Sequence, residues 1–211
     1  MSETDRAEDF ERTNEKARKR KAARDRMLAD KTVEKGLLIV HTGKGKGKST
    51  AAFGLAARAI GNGMRVGIVQ FVKGKWETGE RHVLERFADQ VTIRTMGEGF
   101  TWETQDRARD IAAAKAAWQA ACEMIEACRG AEPRYDMVIL DELNIVLRYD
   151  YLPLDEVVAV LSGRPSMLHV VVTGRNAKPE LIEVADLVTE MTQIKHPFRE
   201  QNVKAQKGVE F

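Results

Sequence analysis

Only two cysteines occur in the 211 residues, Cys122 and Cys128. They lie six apart in a stretch of helical periodicity, so they do not share a face and cannot form a CxxC metal or redox pair. A chain of this length buries an adequate core without disulfides or metal staples, so both thiols read as reduced packing residues. No run approaches the roughly twenty consecutive apolar residues of a membrane span, and the first residues are charged where a secretory signal would be apolar. A cytoplasmic location without membrane contact is the expectation. Excess charge of one sign is lacking too: the net charge of +2 gives no global pull toward nucleic acid, and any basic site must be local. The four histidines, His41, His82, His169 and His196, show no metal-ligand spacing, and no Ser-His-Asp or Cys-His set is visible. His41 and His169 read as satisfied packing groups within or beside strands. All this argues against covalent catalysis by the protein itself.

What is present divides into two textures. Residues 1–35 are rich in charge and nearly free of large apolar groups, with Lys16, Arg18, Lys19, Arg20, Lys21, Arg24 and Arg26 forming a basic cluster. They read as a charged N-terminal arm, flexible or helical. From residue 36 to 211, short apolar runs alternate with glycine-bearing turns and amphipathic stretches, the α/β signature of one catalytic domain. Strands are expected at Leu37–His41, Arg65–Val72, Val91–Thr95, Met137–Asp141, Leu168–Thr173 and Leu187–Met191, with helices mostly between them. Continuous β-branched runs such as Leu37-Leu38-Ile39-Val40 suit a sheet covered on both faces, as parallel sheets are. An alanine-rich helix should start at Lys48 and stop near Gly61 and Gly63, and a longer one should run from about Gln105 to Cys128 with Trp118 in the core.

Chemistry concentrates at the first strand's exit. There Gly43-Lys44-Gly45-Lys46-Gly47-Lys48-Ser49-Thr50 joins a strand to a helix. Glycines let successive backbone N–H groups turn toward phosphate oxygens, and the helix N-terminus adds partial positive charge. Lys48 would reach the phosphates and the Ser49 hydroxyl would ligate Mg²⁺. The common spacing G-x-x-x-x-G-K-[ST] would put a glycine at position 42, where this chain has Thr42. That departure suggests that phosphates are held differently from an ordinary ATPase. A second element, Met137-Val138-Ile139-Leu140-Asp141-Glu142, is an apolar strand ending in two carboxylates, as in the acidic strand that supports Mg²⁺ in P-loop enzymes. If the strand continues, the two side chains point to opposite sides and only one touches the ion. Gln70, Lys73 and Arg175 stand at other strand ends; Arg175 suits either a phosphate or a surface ion pair. Phe100 and Trp102, two apart in an irregular segment, read from the residues alone as packing that segment onto the domain.

In order along the chain, Thr42 to Gly54, Gln70-Phe71-Val72-Lys73-Gly74, Gly99-Phe100-Thr101-Trp102-Glu103-Thr104, Leu140-Asp141-Glu142-Leu143-Asn144, Tyr149 to Leu154, Val172-Thr173-Gly174-Arg175 and Val203 to Phe211 resemble the P-loop ATP:corrinoid adenosyltransferases. The resemblance spans about residue 36 to the end and implies a P-loop NTPase (RecA-like) three-layer fold around a mainly parallel sheet of about six strands. It implies that ATP is bound with its phosphates reversed, that the Co(I) of a reduced corrinoid attacks the ribose C5′, and that inorganic triphosphate leaves. Such a reaction needs no protein base, since the metal of the substrate is the nucleophile. In that likeness Lys48 stabilises the leaving charge, Ser49 and Glu142 match the ligands of Mg²⁺ (or Mn²⁺), and Phe100 and Trp102 match positions that pack against the corrinoid and displace its lower axial ligand. The partners implied are a second copy of the chain, whose site the N-terminal arm would cover, and a flavin-type reductant protein. Two other readings follow from the loop alone. One is a P-loop kinase of a nucleoside-like substrate, yielding ADP; the other is a RecA-like module whose ATP gates nucleic-acid binding through the arm.

Overall fold

The computed structural model describes residues 3–72, 79–96 and 106–209, of which 3–8 by backbone alone. The chain divides into two units, Met1–Glu34 and Lys35–Phe211. The first is built on helix α1, Glu3–Ala29, whose described side chains are exposed. Such a helix, mostly charged and with Phe10, Met27 and Leu28 exposed, buries no stripe of its own and has local support, as from the Lys19–Glu15 pair at 2.7 Å.

The second unit is an open sheet of six parallel strands: β1 Leu38–Thr42, β2 Val66–Gln70, β3 Val91–Thr95, β4 Met137–Asp141, β5 His169–Thr173 and β6 Leu187–Glu190, in the order β3-β2-β4-β5-β1-β6. The expected α/β class, strand number and parallel direction are all met, in a form consistent with a P-loop NTPase-like fold. The four inner strands are buried almost throughout, whereas edge strand β6 is largely exposed. This is why the inner segments read as unbroken apolar runs.

Alternation along each strand separates two cores. Ile39, Ile68, Ile139 and Val171 meet Ala52, Phe53, Ala56 and Ile60 of α2, Lys48–Gly61. On the opposite face Val40, Val69, Leu140 and Val172 join a cluster with Trp118, Ala121 and Met124 of α4, Arg107–Glu126, and with Val157 and Leu161 of α6, Leu154–Ser162. Three layers result. Trp118 is buried, as expected, and its indole N–H donates to Glu156 at 3.3 Å. Asp106 caps α4 by accepting from the Arg109 N–H at 3.1 Å, which ties the helix start to one side chain. Both cysteines are reduced, and the buried Cys128 thiol donates to the Met124 carbonyl at 3.1 Å.

Among the described residues the shorter helices are α3 Gly79–Leu84, α5 Leu143–Arg148, α7 Pro179–Val184 and α8 Pro197–Glu200, with a 3-10 turn at Glu85–Phe87. Asp186, just before β6, gathers the base of the domain. Its carboxylate accepts from the Leu38 N–H at 2.8 Å, from Arg164 at 2.9 Å and from Lys35. No helix among the described residues is long and apolar enough to cross a membrane.

Candidate active site

Parallel register brings the C-terminal ends of the strands level. Thr95, Gln70 and Asp141 are successive partners across β3, β2 and β4, Thr173 and His41 are partners across β5 and β1, and Asp141 and Thr173 each follow the last pair of β4 and β5. Each lies two residues beyond a side chain of the α2-facing core, so this polar row faces the same side as the start of α2. Four of its members are joined by hydrogen bonds. Thr95 Oγ1 donates to Gln70 Oε1 at 2.9 Å, Gln70 Nε2 to Asp141 Oδ2 at 3.3 Å, and Thr173 Oγ1 to Asp141 Oδ1 at 2.8 Å. Asp141 is fully buried, and these donors offset part of the cost of removing a carboxylate from water. His41 differs from expectation: burial lowers its pKa, and neither ring nitrogen has a hydrogen-bond partner. His169 is the satisfied packing group, its Nδ1 accepting the Leu37 N–H at 3.1 Å.

The chain leaves β4 through Glu142, which adopts the left-handed region at φ 67° and precedes α5. The Glu142 N–H donates to Thr173 Oγ1 at 2.9 Å, so one hydroxyl holds both acidic residues. The left-handed turn, which the sequence does not announce, is what separates them: Asp141 stays in the buried row, while Glu142 leaves the strand path. The Glu142 carboxylate stands beside Gly174, 3.2 Å from where a β-carbon would lie. Asn144, also fully buried, donates to the Gly174 carbonyl at 3.1 Å and fixes the loop leading to Arg175.

The phosphate cradle follows β1. Gly43 has φ 98°, and a β-carbon there would stand 2.5 Å from the Met191 carbonyl oxygen, so glycine is required on both counts. Gly47, at φ 100°, opens α2 without a side-chain cap, leaving the amides of the first turn to other acceptors. One feature differs from a loop whose N–H groups all turn inward: the Gly45 N–H donates to the Met191 carbonyl at 2.7 Å, and Met191 N–H to the Thr42 carbonyl at 2.9 Å. The cradle is thus strapped to the segment after β6. Thr42, in place of the usual glycine, accepts the Ala177 N–H on its hydroxyl at 3.0 Å.

Lys48 is buried and donates to the Gly45 carbonyl. Burial pushes its ammonium pKa down, Glu142 pulls it up, and Arg175 and Lys46 push it down again. Lys46 is lowered by desolvation and by Arg175. These mutual influences bring Lys46, Lys48, Arg175 and Glu142 into one electrostatic unit. Arg175 therefore belongs to the cradle's surroundings, which its position in the sequence left open. Ser49 is half-buried in the first turn of α2, next to Lys48, while Lys44, Lys46 and Thr50 are exposed. Phe100, Trp102 and Lys73 lie outside the described residues.

Among the described residues no group of three or more His, Cys, Asp or Glu side chains could enclose a metal ion. A single carboxylate at Glu142 and a hydroxyl at Ser49 instead suit a hard cation that keeps waters and takes phosphate oxygens, the habit of Mg²⁺. The roles of Thr173, Gln70 and Asn144 were not foreseen. Their only sequence signal is a polar residue at or just beyond the end of an apolar run.

Residues 34–211 match the family model described as ATP:corrinoid adenosyltransferase BtuR/CobO/CobP. The chain is 57% identical over 198 residues to a protein of Sinorhizobium sp named corrinoid adenosyltransferase, covering 93% of this chain and 90% of that one. It is 53% identical over 201 residues to the corrinoid adenosyltransferase of Pseudomonas aeruginosa, with 95% and 96% covered. To the corrinoid adenosyltransferase CobA of Salmonella typhimurium it is 46% identical over 201 residues, with 95% and 98% covered.

Proposed function

The chain belongs to the ATP:corrinoid adenosyltransferase family, and we propose that its cradle holds the triphosphate of ATP as a leaving group while the adenosyl moiety passes to a reduced corrinoid. The Co(I) of the corrinoid supplies both electrons of the new Co–C bond to C5′. The C5′–O bond breaks, and its electron pair leaves on the triphosphate.

The observation that carries the reading is the geometry of the cradle: Gly43 and Gly47 turn in the left-handed region, Lys48 is buried and donates to the Gly45 carbonyl, and the Glu142 carboxylate stands beside Gly174, next to Arg175. Positive groups fixed beforehand around departing phosphates stabilise the charge that develops as the bond breaks. No side chain has to accept a proton, because the Co(I) of the substrate is itself the nucleophile. Ser49 and Glu142 would hold Mg²⁺, which when bound would neutralise phosphate charge. The chain's own contribution is to position these oxygens: Thr173 anchors the backbone of Glu142, and Gly47 sets the start of α2. Phe100 and Trp102 are assigned, from the family resemblance, to the corrinoid face.

A cytoplasmic homodimer served by a flavin-type reductant completes the proposal. It is tested with ATP, Mg²⁺ and chemically reduced cobalamin, following the Co(I) absorption. Lys48→Ala should lower the rate by about 10²-fold or more, the scale of losing one preorganised charge-stabilising donor. A rate near wild type would remove Lys48 from the mechanism.

A further inference from the structure

Thr42 stands where the common phosphate-binding spacing has glycine, and its side chain belongs neither to the cradle's amides nor to the metal ligands. Its hydroxyl does one thing that glycine could not: it accepts the Ala177 N–H at 3.0 Å. Thr42 is buried, so the bond is shielded from competing water. The same segment is held again just upstream, where the Gly174 carbonyl accepts from the side chain of the fully buried Asn144 at 3.1 Å. Arg175 and Asn176 are thus the whole span between two anchors. One anchor is the residue that enters the cradle, and the other belongs to α5, the helix that follows Glu142.

The span is fixed in shape as well as at its ends. Gly174 has φ 125°, and a β-carbon there would stand 2.8 Å from Asn144 Cβ and 3.2 Å from Glu142 Oε2. Asn176 lies in the left-handed region at φ 56°, which asparagine tolerates better than most residues. The Arg175 side chain itself is exposed, and among the described residues no hydrogen bond or salt bridge holds its guanidinium. Its place is therefore set by the backbone bracket. Asn144 makes its bond to Gly174 while its own Oδ1 is buried without a hydrogen-bond partner, so an aliphatic side chain would fill this space at lower cost. The amide is explained by what it holds.

We propose that Thr42 and Asn144 are positioning residues that clamp the 174–177 corner from its two ends and so hold the Arg175 guanidinium beside the cradle for a bound nucleotide. The charge of Arg175 lowers the pKa of both Lys46 and Lys48, as a cation held at that distance should. A loose corner would have to be ordered when the anion arrives, whereas a clamped one is ordered on folding. The inference rests on the proposed function in one respect, that Mg²⁺-ATP occupies the cradle.

A double-mutant cycle on the full-length protein, read by calorimetric titration with Mg²⁺-ATP and needing no corrinoid, tests it. Thr42→Val keeps the outline of the side chain and removes the acceptor. It should lower ATP affinity about fivefold in the wild-type background and less than about twofold in an Arg175→Ala background, because a clamp loses its effect once the group it holds is gone. Thr42→Ser, which keeps the hydroxyl, should stay within about twofold of wild type. Asn144→Ala reaches the bracket from its other anchor, should show the same non-additivity, and decides the matter where Thr42→Val fails to fold. Equal losses in both backgrounds would confine Thr42 and Asn144 to the shape of the fold and overturn the inference. So would an Arg175→Ala variant that binds Mg²⁺-ATP as tightly as wild type. Adenosyl transfer is measured separately: the predicted non-additivity without Co–C bond formation from reduced cobalamin would refute the adenosyltransferase reading and leave the clamp standing.

Discussion

At the scale of single residues, the acidic pair shows how one hydroxyl can govern a site it need not touch. Thr173 donates to Asp141 and accepts from the Glu142 N–H, so Thr173→Val removes a donor from a buried carboxylate and an acceptor from a strained turn. The expected cost is about 1–3 kcal/mol of stability. With Mg²⁺ held as proposed, the half-saturating Mg²⁺ concentration should rise about 10–100-fold, while Thr173→Ser stays near wild type. A metal requirement unchanged in the valine variant would restrict Thr173 to packing. Lys48 carries a second expectation. Its pKa lies below the ordinary 10.5, chiefly through burial, with Arg175 and Lys46 adding to the shift against the pull of Glu142. Since the charged form binds anions, triphosphate affinity should fall with rising pH at a midpoint below 10.5. Lys48→Arg, charged throughout that range, should shrink this limb to what Lys46, also lowered, contributes. An affinity that holds constant in wild type up to the pKa of an ordinary lysine would contradict the role.

At the scale of elements, the strands were the most legible part, because buried parallel strands leave continuous β-branched runs that little else produces. β3 and β4 have the expected limits, and the other strands differ from expectation by one or two residues. β2 ends at Gln70 although the apolar run continues through Val72, because the chain bends away after the Phe71 N–H bonds the Asp141 carbonyl at 3.0 Å. The sheet order was not legible: which crossover passes over which strand depends on packing between distant segments. The cradle's glycines were legible, but its strap was not, since Met191 bonds by backbone groups alone and any residue supplies those. The same holds for the left-handed turn at Glu142, which glutamate rarely adopts. Asp186 illustrates a contact between distant segments with a measurable consequence. Hydrogen bonds from Lys35 and the Leu38 N–H hold its carboxyl below the ordinary 3.8, with further charge support from Lys35 and Arg164. A carboxylate with a lowered folded-state pKa contributes fully above its unfolded value and loses that contribution as pH falls through the folded value. Asp186→Asn should therefore destabilise the domain at neutral pH, by no more than about 1 kcal/mol at this solvent-screened position, with the gap to wild type closing only below about pH 4. Denaturant titrations at several pH values measure this; a gap independent of acid would assign the effect to geometry alone.

At the scale of the whole molecule, a near-balanced net charge of +2 coexists with a concentrated positive field at one end of the sheet. The aggregate composition could not reveal it, because the cations come from the cradle and the β5 exit. Only the fold brings them together. The central claim is that this assembly serves the far end of the nucleotide, holding the phosphates so that they depart as one piece. The most direct measurement is ³¹P NMR of the products formed from ATP, Mg²⁺ and a corrinoid kept as Co(I). Inorganic triphosphate appearing in step with loss of the Co(I) absorption is the predicted result. Release of ADP or single phosphate, with the Co(I) unchanged, would contradict it.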